Sequence, residues 1–168
     1  MIRISPSRLV SAIAGAAIAA VLSGSAADAQ RHGPFANLSG SWSGPGTISL
    51  SSGAKERIRC RAQYRVAGTG SDLQLELRCA SDTYRFELQS SVSHNGGSIS
   101  GTWSEVTRGA IGTISGTSNG PHMSLRAVSP IFSAMLAVNT RGSQQSISIQ
   151  SPGSEISAVA INLSRGSR

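Results

Sequence analysis

The sequence has few aromatic residues and no apolar stripe at the helical period after its N-terminal region. Its aromatic residues are three phenylalanines, two tryptophans and two tyrosines, spread thinly over 168 residues. Transmembrane β-barrels carry girdles of aromatic side chains at both lipid interfaces, so this scarcity argues against an outer-membrane barrel. No apolar stripe at the helical period follows Gln30, which argues against a helical domain. We therefore expect a protein that does not span a membrane.

Motifs of catalysis and metal binding are missing as well. The sequence has no Cys-x-x-Cys and no phosphate-cradling glycine loop. The histidines His32, His94 and His122 lack metal-ligand spacing and are interpreted as solvated turn residues. Ser52 and Lys55 match Ser-x-x-Lys, which penicillin-recognising enzymes carry on a helix of a much larger domain. The prediction is a protein that is not an enzyme and has no metal and no cofactor.

Acidic residues are few, and lysine is nearly missing. Fifteen basic residues against eight acidic ones give a formal net charge of +7, with Lys55 as the single lysine. A basic, arginine-rich chain attracts polyanions. In an exported protein, these include anionic components of the cell envelope, and we expect no nucleic-acid partner.

The N-terminus has the pattern of a secretory signal peptide. Arg3 and Arg8 form a basic region, Leu9–Leu22 is apolar and rich in alanine, and Ala27-Asp28-Ala29 is a small-x-small cleavage site. The apolar run is shorter than the roughly 20 residues that cross a bilayer. We predict a signal peptide over residues 1–29 and export to the periplasm or the medium.

The remaining chain, about 139 residues long, has the size of one domain. Alternating runs separated by turn residues indicate about ten short strands, each apolar on one face. Such strands must close on themselves or stack as two sheets to bury that face. Because nearly all connections are tight hairpins, we predict an antiparallel up-and-down β-barrel of about 8–10 strands. This single domain covers residues 38–168 after a flexible segment over residues 30–37, and a β-sandwich is the alternative.

Two alternating segments, Lys55–Val66 and Asp72–Ala80, carry the only two cysteines on their apolar faces. A hairpin loop over residues 68–71 sets Cys60 directly opposite Cys79, and the same register pairs apolar residues along the rest of the hairpin. Cysteines of exported proteins usually pair, because their compartment is oxidising. The sequence therefore predicts a disulfide between these two strands.

The polar faces of the same strands carry guanidinium groups. Glu76 and Glu87 lie among them and neutralise part of the charge. Guanidinium groups present forked donors that suit phosphate and carboxylate. We interpret this face as an outward basic stripe and as a candidate anion-binding surface. Its residues are Arg57, Arg59, Arg61, Arg65, Arg78 and Arg85.

A second hairpin is indicated by Asn95-Gly96 between alternating runs, the strongest short-range hairpin signal. Placing this dipeptide at the turn pairs Leu88 with Trp103. Further along, Ile111 interrupts the alternation of apolar residues, which predicts a bulge near Gly112.

The first strand carries Gly40-Ser41-Trp42, which resembles the Gly-x-Trp of calycin barrels, the lipocalins and avidins. In that family the tryptophan closes one end of the barrel beneath a late arginine, and Arg165 is the matching position here. The resemblance implies closure of the barrel by Trp42 and Arg165. Trp103, also on the apolar side of its strand, is expected to take part in closing the interior.

Together with Cys60 and Cys79, the first strand also resembles the small exported metalloprotease inhibitors of Gram-negative bacteria. Those are eight-stranded barrels with one disulfide, and a free N-terminal segment enters the protease cleft. Exported proteins of proteobacteria without assigned function are similar too. We expect a non-catalytic barrel that binds a small apolar or amphipathic ligand or an anionic envelope component. The alternative is a protein-interaction module, such as a periplasmic metalloprotease inhibitor that uses residues 30–37.

Overall fold

The computed structural model describes residues 32–166, which form ten antiparallel strands. The strands are β1 (Gly40–Leu50), β2 (Lys55–Ala67), β3 (Asp72–Ala80), β4 (Arg85–Asn95), β5 (Ser98–Glu105), β6 (Ala110–Asn119), β7 (His122–Ser129), β8 (Phe132–Arg141), β9 (Gln144–Gln150) and β10 (Ile156–Arg165). Each strand pairs with its neighbours in the sequence, and β1 also pairs with β10, so the barrel is closed. The up-and-down barrel is confirmed, and the sandwich alternative is wrong.

The predicted signal peptide over residues 1–29 lies outside the described residues. Within residues 32–166, no helix is long and apolar enough to cross a membrane. The barrel itself occupies Gly40–Arg165.

Strict alternation of residues produces the two faces of each strand. Along β2, Ile58, Cys60 and Tyr64 are buried, and the arginines between them are exposed. Successive side chains of a strand point to opposite faces, so every second residue of β2 lies inside the barrel. The apolar residues of all ten strands therefore meet in one core.

The first hairpin has the predicted register. Cys60 lies opposite Cys79, Tyr64 lies opposite Leu75, and Ala67 and Asp72 flank the loop. The two cysteines form a disulfide with a Cα–Cα distance of 4.1 Å.

The second hairpin differs from the prediction by two residues. Asn95 pairs with Ser98, so the loop is Gly96-Gly97 and Trp103 lies opposite Ser90 rather than Leu88. Both glycines have positive φ, 57° and 88°. A two-residue turn that matches the strand twist needs positive φ at both central positions, which two glycines adopt without strain. The shift by two residues keeps every side chain on its predicted face.

The predicted bulge at Gly112 is also wrong. Strand β6 pairs with β5 and β7 without a break in register. Gly112 lies opposite Trp103, and a Cβ atom at this position would lie 2.8 Å from Cε2 of the indole. The glycine therefore makes room for the tryptophan inside a regular strand. Ile111 interrupts the apolar pattern because it points outward, where it is 70% exposed.

The two ends of the barrel differ. We call the end that contains residues 33–38 the closed end. The opposite end, which carries the connections at residues 51–54, 81–84, 106–109, 130–131 and 151–155, is called the open end.

Residues 33–38 are packed against the barrel, which corrects the expectation of a flexible segment over residues 30–37 for the part that is described. Backbone hydrogen bonds join Gly33 N to Thr69 O at 2.8 Å and Phe35 N to Gly70 O at 3.1 Å. Phe35 is 1% exposed. The apolar side chain enters the end of the barrel because burial removes it from water.

Candidate functional site

The barrel interior contains a cavity of about 560 Å³ with predominantly apolar walls. Inward side chains of β2 to β10 form its sides, and it reaches the surface between the loops of the open end. Its apolar lining includes Leu73, Leu75, Leu77, Phe86, Leu88, Val92, Ile99, Trp103, Ile114, Met123, Leu125, Ala127, Phe132, Ala134, Leu136, Val138, Ile147, Ile149, Ile156, Ala158 and Val159. A cavity of this size and character is typical of a site for a small organic ligand.

The closed end is sealed by side chains from both termini of the described chain. Trp42 on β1 is 1% exposed and donates a hydrogen bond from Nε1 to Leu38 O at 2.8 Å. Arg165 lies opposite Trp42 in the β1–β10 pair, with Cζ 4.7 Å from the centroid of the indole. Phe35 and Leu38 face the cavity from this side. The structure thus brings together the tryptophan and the arginine that the calycin resemblance implied.

One polar group projects into the closed half of the cavity. The Tyr64 hydroxyl donates to Gln145 Oε1 at 2.6 Å, and Gln145 Nε2 donates to Thr140 Oγ1 at 3.0 Å. Burial raises the pKa of Tyr64 well above its usual range, and the hydrogen bond with Gln145 only partly offsets this effect. The phenol therefore stays neutral. Its hydrogen is donated to Gln145, so its oxygen is free to accept a hydrogen bond from a ligand.

Trp103 occupies the other half of the cavity, far from Trp42 and Arg165. It lies near the end of β5, and its ring meets Phe132 edge to face at a centroid distance of 5.9 Å. Its Nε1 donates to Thr113 O at 3.0 Å. Trp103 therefore forms part of the cavity wall near the open end. It does not close the barrel together with Trp42 and Arg165, contrary to the expectation from the sequence.

Charged groups surround the opening. Glu105 accepts hydrogen bonds from the backbone N–H groups of Glu87, Thr107 and Arg108 at 3.1, 3.1 and 2.7 Å. Burial acts to raise the pKa of Glu105, but these donors outweigh it and hold the pKa below its ordinary value. Glu105 is therefore an anion, and its hydrogen bonds with backbone N–H groups hold the loop over residues 106–109 in place.

Tyr84 and Glu155 meet across the same opening. The Tyr84 hydroxyl donates to Glu155 Oε1 at 3.2 Å, which joins the loop after β3 to the loop before β10. Partial burial and the carboxylate of Glu155 raise the pKa of Tyr84. The contact narrows the opening above β1 and β2 and leaves it wider above β5 to β9.

The predicted basic stripe lies on the outer surface, away from the cavity. Arg61 lies directly opposite Arg78, and a shallow groove runs beside them over Ala80. The groove is bordered by five arginines and three carboxylates: Arg57, Arg59, Arg61, Arg78, Arg85, Glu56, Asp82 and Glu87. Like charges placed directly opposite each other destabilise a sheet, and a bound anion relieves that repulsion.

Carboxylates neutralise only part of this surface. Arg65 pairs with Glu76 at 2.6 Å and Arg78 approaches Glu87 at 3.6 Å. The Arg65 hydrogen bond, followed by its charge, lowers the pKa of Glu76. Within residues 32–166, the other arginines of the groove form no ion pair.

The three histidines do not come together. His32 and His122 are exposed, whereas His94 is half-buried and meets Phe35 edge to face at 6.4 Å. No cluster of three or more histidine, cysteine, aspartate or glutamate side chains in the described part of the chain is arranged to hold a metal ion.

Sequence reasoning missed two parts of this site. Glu105 was not singled out, although its position at the end of an inward-facing alternation places it at the mouth. Gln145 was not found either, because only the closed barrel brings it to Tyr64 across 81 residues of sequence.

Comparison with known proteins gives a likeness of fold. No family model matches the chain. No curated protein matches it. Among solved structures, the crystal structure of Rv2717c from M. tuberculosis is similar, with a TM-score of 0.62 and 14% sequence identity over 80% of this chain and 94% of that chain. At this identity, the likeness shows that the two chains share a barrel fold.

Proposed function

We propose that this protein is a non-catalytic barrel that binds a small apolar or amphipathic molecule in its interior. The observation that carries the proposal is the apolar cavity of about 560 Å³, which opens at one end of the barrel. Ligand pockets usually measure about 300–1,000 Å³ and combine apolar walls with a few polar groups. Tyr64 and Gln145 supply such groups at the closed end, and Glu105 and Arg108 supply them at the opening.

The cavity exists because of strand number and side-chain size. A barrel of about eight strands is just wide enough for its own side chains to fill it, and further strands widen the interior. Ten strands close this barrel. Ala127 and Ala134 face inward and leave space that larger residues would occupy. A ligand that removes this apolar surface from water gains about 25 cal/mol for each Å² buried.

The proposal is tested with a matched pair of substitutions on β8. Ala134 is buried and lines the cavity, whereas Ala137 is exposed on the outer face of the same strand. The probe is 11-(dansylamino)undecanoic acid, followed by its fluorescence, with oleate and a planar tetrapyrrole as competitors. We expect binding to the wild type and to Ala137→Phe, and a loss of at least tenfold in affinity for Ala134→Phe.

Two results would contradict interior binding. One is equal affinity of both variants for the probe. The other is the absence of binding to the wild type by the probe and by both competitors. The competitor that displaces the probe identifies the ligand shape, since oleate is a flexible chain and the tetrapyrrole a rigid plane.

A second candidate function is the binding of an anionic envelope component in the outer groove. It is favoured by the direct opposition of Arg61 and Arg78, of which only Arg78 has a carboxylate partner, Glu87. We expect retention on immobilised lipopolysaccharide at low salt, weakening as ionic strength screens exposed charges over about 10 Å at 0.1 M. The double variant Arg59→Gln/Arg61→Gln should lose this retention, and Arg141→Gln should keep it. Unchanged retention of the double variant would show that the groove is only a solvated surface.

Export to the periplasm or the medium also belongs to the proposal. It is supported by the sequence pattern over residues 1–29 and by the disulfide, since disulfides persist in oxidising compartments. Mass spectrometry of protein recovered from the periplasm should find an N-terminus at Gln30. A chain that retains residues 1–29 in the cytoplasm would contradict export.

The described residues give less support to the inhibitor alternative. It requires a free N-terminal segment, but residues 33–38 are hydrogen-bonded to the loop after β2 and bury Phe35. We therefore do not propose it as a function.

A further inference from the structure

The large apolar side chains that the barrel exposes are concentrated in one place. In the described part of the chain, five of them are more than a third exposed, and all belong to strands β6 to β8 or to the adjoining loops of the open end. They are Val106 (54%), Ile111 (70%), Val128 (38%), Ile131 (89%) and Met135 (55%), and together we call them the apolar rim. Single exposed apolar residues are ordinary, but a contiguous group marks an interaction site.

The strand register shows that the members of the rim are neighbours. Val128 pairs with Thr113, so Ile111 lies diagonally beside it on the outer face. Val128 also pairs with Ser133, which places Met135 on its other diagonal. Diagonal neighbours on one face of a sheet are about 7–8 Å apart, within reach of long side chains. The rim is therefore a continuous stripe that runs up to the loop tips.

Ile131 and Val106 lie at these tips. Ile131 is in the two-residue turn between β7 and β8, and Val106 is in the neighbouring loop between β5 and β6. Both lie in loops beyond the strand ends and are highly exposed, so they form an apolar edge at the open end. An exposed apolar edge suits a deformable surface into which its side chains can insert.

Two arginines lie at the rim. The sequence contains no aspartate or glutamate from Val106 to Ser154. Arg108 lies in the same loop as Val106, with a side chain that is 54% exposed, and Arg126 lies directly opposite Met135. Two carboxylates lie beside the rim. Glu105 is 3.8 Å from Arg108 and already accepts three backbone hydrogen bonds. Glu87, whose backbone O accepts a hydrogen bond from Val106 N, is 3.6 Å from Arg78. An anionic surface complements this combination of arginine and aliphatic side chains.

We propose that the apolar rim docks on an anionic lipid bilayer, with Val106 and Ile131 inserted among the headgroups and Arg108 and Arg126 on lipid phosphates. A protein partner is less suited, because protein interface cores are enriched in aromatic residues and the rim has none. Ile131 and Arg108 also line the cavity, so docking brings the opening of the barrel against the lipid surface. The proposal goes beyond ligand binding, since docking does not require an occupied cavity.

The test measures co-sedimentation of the purified protein with vesicles of phosphatidylglycerol and phosphatidylcholine, compared with vesicles of phosphatidylcholine alone. We expect binding to the anionic vesicles and a loss of at least tenfold in partitioning for Val106→Ser/Ile131→Ser. The control Ala137→Ser, on the outer face of β8 but outside the rim, should bind like the wild type. Arg108→Gln/Arg126→Gln should reduce the preference for anionic lipid.

A second measurement places the rim relative to the lipid. Ile131→Trp should show a blue shift of its fluorescence when anionic vesicles are added, and Ala137→Trp should show none. Because both positions are exposed, neither substitution disturbs the core.

Several outcomes would overturn the proposal. These are unchanged partitioning of Val106→Ser/Ile131→Ser, no binding of the wild type to vesicles, or no blue shift for Ile131→Trp. Loss of vesicle binding in Arg59→Gln/Arg61→Gln with the rim intact would assign the interaction to the outer groove instead. A dimer in analytical ultracentrifugation that Val106→Ser/Ile131→Ser abolishes would assign the rim to a second copy of the chain. By contrast, vesicle binding that persists in Ala134→Phe would support docking that is independent of ligand binding.

Discussion

Arg165 lies across the indole ring of Trp42, with its Cζ atom 4.7 Å from the ring centroid. The two residues belong to the last and the first strand, and they pair in the ladder that closes the barrel. A guanidinium over the face of a tryptophan is attracted by the negative charge of the ring face. The contact therefore joins the two ends of the described chain at the sealed end of the cavity.

Arg165→Gln should lower the free energy of unfolding by about 0.5–2 kcal/mol, the usual range of a cation–π contact. Nε and Nη2 of Arg165 have no hydrogen-bond partner among the described residues, so few other interactions are lost. Urea unfolding followed by circular dichroism measures the change. The exposed Arg141→Gln is the control. Equal stability of the two variants would mean that the contact contributes nothing.

Trp42→Ala should cost about 3–5 kcal/mol of unfolding free energy, because it removes a large buried side chain and leaves a cavity. The residue is 1% exposed and also loses its hydrogen bond to Leu38 O. Trp42→Phe, which keeps an aromatic ring, should cost less. Urea unfolding and the fluorescence of the remaining Trp103 report the effect. A loss below about 1 kcal/mol for the alanine variant would contradict a closing role for Trp42.

Removal of the disulfide should destabilise the barrel without abolishing binding of a ligand in the cavity. Cys60 and Cys79 are 19 residues apart in the sequence, and a closed loop of this length corresponds to about 3 kcal/mol in the chain-entropy model. Cys60→Ala/Cys79→Ala should lower the urea midpoint by the corresponding amount. Binding of the dansyl probe should persist, since neither cysteine lines the cavity. Two free thiols in the purified wild type, detected by mass spectrometry, would contradict the pairing.

Stability should fall in acid, and Glu105 should account for part of the loss. Its pKa in the folded protein lies below the ordinary value of about 4.3, so its contribution is complete above that value and disappears as pH falls through the folded pKa. The pKa of Asp72 is also lowered, by hydrogen bonds from Ser93 and Ser71. Urea unfolding at several pH values below about 5 should show a smaller decrease for Glu105→Gln than for the wild type. The exposed Asp82→Asn is the control, and identical slopes for Glu105→Gln and the wild type would refute the role of Glu105.

Local pattern was sufficient for the first hairpin. Strands have a period of two, so the alternation around Cys60 and Cys79 determined which residues face inward, and the four-residue loop determined which ones lie opposite each other. The same period placed the arginines of β2 on the outer face. These features depend on residues close in sequence, which is why the sequence predicts them.

Where several local solutions were equally acceptable, the tertiary structure decided. Asn95, Gly96 and Gly97 can each occupy a tight turn, and the register that placed Gly96-Gly97 in the loop also set Trp103 opposite Ser90. Ile111 looked like an irregularity, but it is an outward residue of a regular strand. Neither choice can be made from one hairpin alone, because each depends on how the inner face of β5 packs.

The cavity is a property of the closed barrel. Its volume depends on the number of strands and on how inward side chains from opposite walls meet. Neither can be inferred from a short stretch of sequence. Tyr64 and Gln145 come together only through closure across 81 residues. The sequence by itself determined an alternating chain with a disulfide and a basic face, because these follow from a period of two. Only the tertiary structure decided that one end is sealed and the other open, because side chains from distant strands meet there in space.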